Sequence, residues 1–144
     1  MKKQKKNKTI IAAAAAAVLL IVLAMLCAGY MKQKNLLMKI SDAYSEDISA
    51  TLSKYDGKKI TFLAEVSSVD LTEKALTVNM RGHSKNPAKN TAIGVITVCR
   101  CASEQASGKI TNLSKGSNVK ITGTAHLTSN SGVLTVTVDA DRIS

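Results

Sequence analysis

The chain has 144 residues, 45% hydrophobic and only 3% aromatic, with a formal net charge of +10. Beyond an apolar N-terminal stretch about 115 residues remain, enough for one modest core, which argues against a deep cleft between two catalytic lobes. The charge is unevenly placed: eight lysines precede the first acidic residue, Asp42, and from Ile40 onward twelve basic residues face ten acidic ones. Most of the basicity therefore flanks the apolar run and is no signature of a nucleic-acid partner.

Residues 1–9 read as a basic tail and 10–30 as a transmembrane helix, free of charge and proline from Ile10 to Tyr30. Twenty-one helical residues rise about 32 Å, matching a hydrocarbon core of about 30 Å. Ala12 to Ala17 dilute the hydrophobicity, and Val18 to Leu26 supply most of the transfer energy. Five lysines in the first eight residues favour a cytoplasmic N-terminus, against three on the other flank at Lys32, Lys34 and Lys39. The expected location is thus the cell membrane, crossed once, with the following domain extracytoplasmic. A cleaved signal peptide needs a shorter apolar run and small residues before the cut. A lipoprotein signal needs a small residue before Cys27, where Leu26 stands. An uncleaved anchor fits better than either.

Residues 31–56 are expected to form a juxtamembrane amphipathic helix. Leu37, Ile40, Tyr44, Ile48, Leu52 and Tyr55 recur at steps of three and four, with Asp42, Glu46 and Asp47 on the other face. Asp56-Gly57 ends it, glycine tolerating the left-handed cap. From residue 57 the period falls to two. Ile60, Phe62, Ala64 and Val66 mark a first strand, 69–74 a polar connection, and Leu76, Val78 and Met80 a second strand. Arg81 to Asn90 reads as a loop with Gly82 and Pro87, and Ala92 to Cys101 as a third strand. A short helix within 103–113 precedes a fourth strand over 119–127 and a fifth over 133–143, separated by the turn Asn130-Ser131-Gly132. Three strands, a helix and two strands within residues 57–144 predict a mainly β fold, the five-stranded OB-fold barrel with its helix between strands three and four.

Two stretches carry a family resemblance. Tyr55-Asp56-Gly57-Lys58-Lys59-Ile60-Thr61-Phe62 resembles the entry motif of the tRNA-anticodon-binding-like OB-fold family, and Leu113 to Gly123 resembles its fourth-strand motif. Cys99 stands where that family often carries a cysteine. Ala64, in place of a usual glycine, and Cys101, in place of a large apolar residue, depart from the pattern. The resemblance implies an exported or membrane-anchored bacterial OB-fold protein. It does not imply tRNA binding.

Motifs for chemistry are sparse. Cys99 and Cys101 share a strand face, near the distance limit for a disulfide, and read first as small core residues. His83 and His126 have no metal-ligand spacing to them. Asp139 and Asp141 share a face near the C-terminus and read as solvated charges. No nucleophile motif or phosphate-cradling loop stands out, and neither cofactor nor metal is expected. The candidate ligand contacts are Arg81, His83, Lys85 and Lys89 in the loop, with Arg100 on the third strand. The expected function is that of a membrane-anchored extracytoplasmic binding or interaction module without catalytic activity, meeting a protein or envelope partner. The competing expectation is a membrane-tethered OB domain that binds single-stranded nucleic acid.

Overall fold

The computed structural model describes residues 2–81 and 95–144. The chain divides into two compact units, 1–32 and 33–144.

The first unit is carried by helix α1, Lys2–Lys34. Within it Ile11–Lys34 is long and apolar enough to cross a membrane, and none of its window is buried. Ile11, Leu19, Leu20, Met25 and Leu26 all stand exposed. By length and composition this helix is a candidate membrane span.

The second unit begins with two helices, α2 (Leu36–Glu46) and α3 (Ile48–Tyr55). The sequence pattern predicts one helix across this stretch, and the structure divides it at Asp47. That residue adopts an extended backbone, φ −151° and ψ 107°, and its carboxylate accepts a hydrogen bond from the Ala50 amide at 2.9 Å. An aspartate at this position caps a new helix more favourably than it continues an old one. The break turns the apolar stripe. Leu37, Ile40 and Tyr44 stay in the core, but Ile48 is exposed and Thr51 is buried in its place. Asp42, expected on the solvent face, is buried as well.

The strands are β1 (Lys58–Asp70), β2 (Ala75–Asn79), β3 (Val95–Cys101), β4 (Asn118–Asn130) and β5 (Val133–Ile143), with α4 (Glu104–Ile110) between β3 and β4. They close into a barrel in the order β1-β2-β3-β5-β4. β3 and β5 run parallel and all other neighbours antiparallel. That order, with one parallel pair and a helix after the third strand, is the OB-fold. β1 serves two neighbours: 58–65 pair with β4, and 65–70 with β2. The register slips between Val66 and Ser68, a bulge that bends the strand so that one chain segment borders both sides of the closure. β1 therefore reaches Asp70, past the polar connection expected from residue 69. The start of the expected third strand, 92–94, lies outside the described residues.

The period-two pattern fills the barrel. Ile60, Phe62, Ala64 and Val66 point inward from β1, and Leu134, Val136, Val138 and Ala140 from β5. Tyr44 joins this core from α2, its hydroxyl bonded to the Ser129 hydroxyl on β4. α4 contributes Ala106 and Ile110. Its Ser103 caps the helix by accepting from the Ala106 amide at 3.1 Å, and Gln105 brackets Ile143 through both the backbone amide and the carbonyl.

Turn chemistry follows the sequence. Gly57 takes φ +67° and donates its amide to the Ala125 carbonyl, while Asp56 accepts from the Leu127 amide. Helix α3 is thereby fastened to β4. Ser131 and Gly132, at φ +49° and +80°, form the tight turn between β4 and β5.

Candidate functional site

The outer faces of β1, β2 and β3 form a shallow cleft of about 270 Å³ beside the β1–β2 turn. Ser68 and Asp70 enter it from β1, Ala75 and Thr77 from β2, Val98 and Arg100 from β3, with Glu73 from the turn. The pleat explains the membership: Leu76, Val78, Thr97 and Cys99 occupy the alternate positions and face inward. Asp70 shapes the turn by accepting from the amides of Thr72 and Glu73, each at 2.9 Å.

Of the expected ligand contacts, the structure places two. Arg100 lies in the cleft together with the carboxylates of Asp70 and Glu73, and its backbone partner on β5 is Asp139. Arg81 follows β2, and its guanidinium donates to the Glu65 carboxylate at 2.7 Å. Arg81 is thus ion-paired, and Arg100 shares its cleft with two acidic residues. His83, Lys85 and Lys89 lie outside the described residues.

The aromatic complement is equally telling, because all four rings of the chain are described. Phe62 and Tyr44 are buried. Tyr30 belongs to the apolar helix, and Tyr55 is half-buried with the Lys54 ammonium 5.2 Å from its ring centre. No ring lines the cleft. Around the barrel from the cleft, β3 and β5 present Ile96, Val98, Thr135 and Thr137 side by side. Among the described side chains of the strands, Ile96 is the one large apolar residue that is exposed.

Cys99 is fully buried and Cys101 half-buried, and neither is in a disulfide. Burial pushes the Cys99 thiol up to about 12, with the neighbouring Cys101 adding to the rise. Burial also raises Cys101, opposed by the Lys74 charge and a hydrogen bond from Ser107. A thiol with a raised pKa carries little thiolate at neutral pH and is a poor nucleophile. At pH 8, a maleimide reagent should leave Cys99 of the folded protein unmodified over hours and label it fully in denaturant. Rapid native labelling of Cys99 would contradict this. Among the described residues no group of three or more His, Cys, Asp and Glu side chains gathers at metal-binding range.

A second recess, about 350 Å³, was not visible in the sequence. It lies where β1, β4 and β5 meet and is lined by Thr61, Lys120, Thr122 and Arg142, with Gln33 and Ser144 beside them. Thr122 is the register partner of both Thr61 and Arg142, so residues 81 positions apart share one row. The signal was present only as outward parity on three separate strands, which means nothing until the register is known.

No protein-family model and no curated protein sequence matches the chain. Among solved structures it resembles asparaginyl-tRNA synthetase of Entamoeba histolytica at 14% identity and TM-score 0.41, over 65% of this chain and 22% of that one. Aspartyl-tRNA synthetase of Entamoeba histolytica is similar at 16% identity and TM-score 0.41, over 67% and 20%. OBody AM2EP06 bound to hen egg-white lysozyme gives 14% and 0.40, over 62% and 81%. The chain thus spans about a fifth of the synthetases it matches. The fold assignment rests on the strand order and not on these distant likenesses.

Proposed function

We propose that this protein is a membrane-anchored interaction module without catalytic activity: α1 holds an extracytoplasmic OB-fold barrel whose outer face meets a protein or envelope component. The family resemblance of residues 55–62 and 113–123, to exported or membrane-anchored bacterial OB-fold proteins, belongs to the same reading. The observation that carries it is the make-up of the barrel's outer face. Single strands are held by stacking bases on aromatic side chains inside a basic groove. Here the cleft offers no ring, and its arginine shares the space with two carboxylates. Hydroxyls beside Ile96 and Val98 suit a protein surface, which is met by mixed polar and apolar contacts. Catalysis is given no support by the buried, raised Cys99 thiol.

The test is a titration of the full chain in neutral detergent with single-stranded DNA and RNA, from about 50 mM salt upward. The proposal predicts at most weak, non-specific binding at the lowest salt, as a chain of net charge +10 gives, and none near physiological salt. Tight binding that falls steeply with salt would overturn it and establish a membrane-tethered nucleic-acid-binding domain instead.

A further inference from the structure

The cleft on β1, β2 and β3 has walls of opposite charge, set by a single row of register partners. Asp70 on β1 stands opposite Ala75 on β2, and Ala75 opposite Arg100 on β3. The walls are therefore two strand spacings apart, about 9.5 Å at the backbone. Alanine between them keeps the floor low. Glu73 lies beside Asp70, which accepts its amide, and adds a second carboxylate to the acidic wall.

The walls do not close on each other. Among the described residues neither Arg100 nor Glu73 has an opposite charge within ion-pair distance. Asp70 uses Oδ1 on the amides of Thr72 and Glu73. The other charges nearby are engaged elsewhere. Asp139, the β5 neighbour of Arg100, meets His126 at 3.2 Å, and Lys74 of the turn acts on the Cys101 thiol.

The adjacent row carries hydroxyls. Ser68 and Thr77 are register partners but, unlike Thr61 and Thr122, are not bonded to each other among the described residues. Both can still donate and accept. Along β3, Val98 and then the exposed Ile96 continue the outer face as apolar surface.

We propose that this cleft docks an extended peptide segment of a partner protein that carries an acidic and a basic side chain on one face. The partner's carboxylate meets the Arg100 fork, its ammonium lies against Asp70 and Glu73, and its backbone bonds to Ser68 and Thr77. An extended chain sets same-face side chains about 6.7 Å apart, and a lysine stem spans the rest of the gap. The apolar surface at Val98 and Ile96 reaches past a free amino acid and calls for further side chains. A ligand of one sign is selected against: a polyanion meets Asp70 and Glu73, a polycation meets Arg100. The inference rests on the reading of this protein as an interaction module and names the chemistry of its partner.

The experiment titrates the full chain, in neutral detergent micelles at low salt, with blocked hexapeptides and follows amide shifts by NMR. One probe carries glutamate and lysine two positions apart, flanked by valine; two others carry glutamate at both positions or lysine at both. Saturable shifts at Ala75, Thr77 and Val98 are expected for the first probe only. Arg100 and Glu73 are exposed, so their replacement should leave the fold intact. Arg100→Gln should weaken binding roughly fivefold. Arg100→Glu should weaken it roughly tenfold or more and should gain the double-lysine probe. Lys58→Gln, at the far end of β1, should bind as the parent does. No shift with any probe, equal shifts with all three, or unchanged affinity in Arg100→Glu would overturn the proposal. Failure of the interaction-module reading is seen separately, in the oligonucleotide titration of the same sample.

Discussion

Gly123→Ala should destabilise the barrel by about 3 kcal/mol, although it adds one methyl group. A Cβ at Gly123 would stand 2.2 Å from the Asp139 carbonyl oxygen and 2.8 Å from the Ala140 Cα. Both obstacles are backbone of the partner strand, so no rotamer change relieves them. The site coincides with the register slip between Thr122 and Gly123, where β5 carries an extra residue past β4. Bulges draw two backbones together, and glycine is the residue that allows it. Relieving the contact means parting β4 from β5, the pair that brings Arg142 beside Thr122. A domain whose whole stability is on the order of 5–15 kcal/mol loses much of it in that step. Gly108→Ala is the matched control. That glycine sits inside α4 with nothing within 4 Å of an added Cβ, so alanine should stabilise by up to about 1 kcal/mol. Thermal melts of the two variants should shift in opposite directions. An unchanged melting temperature for Gly123→Ala would show that the β4–β5 contact is looser than described.

What the sequence makes legible depends on the range of each interaction. Alternation at Ile60, Phe62, Ala64 and Val66 is local, and the structure buries all four. So is the turn at Ser131-Gly132, whose positive φ values demand such residues. The order of elements then sufficed for the barrel. The break at Asp47 was not legible from periodicity, because Ile48 and Leu52 continue the stripe in sequence while the chain changes direction in space. The cue was chemical: Asp47 three residues before Ala50 is an N-cap spacing inside an otherwise helical run. The bulge in β1 hides for a related reason, since Ser67 and Ser68 carry no apolar marker of a slipped register.

The candidate site was harder still. Arg81 and Arg100 stand out in sequence as cations next to strands, but their value as ligand contacts turns on Glu65, Asp70 and Glu73, whose proximity is tertiary. Lys120 and Arg142 do not stand out in the sequence, because each is an ordinary outward residue on its own strand. Only the pairing of β4 with β5 puts them beside a common hydroxyl pair. Charge compensation and charge convergence are both properties of register, and composition carries neither.

Release of the full chain from membranes is expected to be negligible in alkaline carbonate, the second large effect. Ile11–Lys34 comprises 24 residues, about 36 Å of helix against about 30 Å of hydrocarbon. Val18, Leu19, Leu20, Ile21, Val22, Leu23, Met25 and Leu26 are all exposed in this helix. Burying such side chains in lipid is worth about 1.5–3 kcal/mol apiece, on the order of 12 kcal/mol or more together. Peripheral attachment through the basic flanks would be stripped by high pH and salt, since exposed charges are screened. The decisive measurement is therefore the intact mass of the protein recovered from carbonate-washed membranes. The account predicts that the protein in the pellet retains residues 10–30. A water-soluble product beginning near residue 28 would contradict it, and would remove the basis for a barrel held at the bilayer.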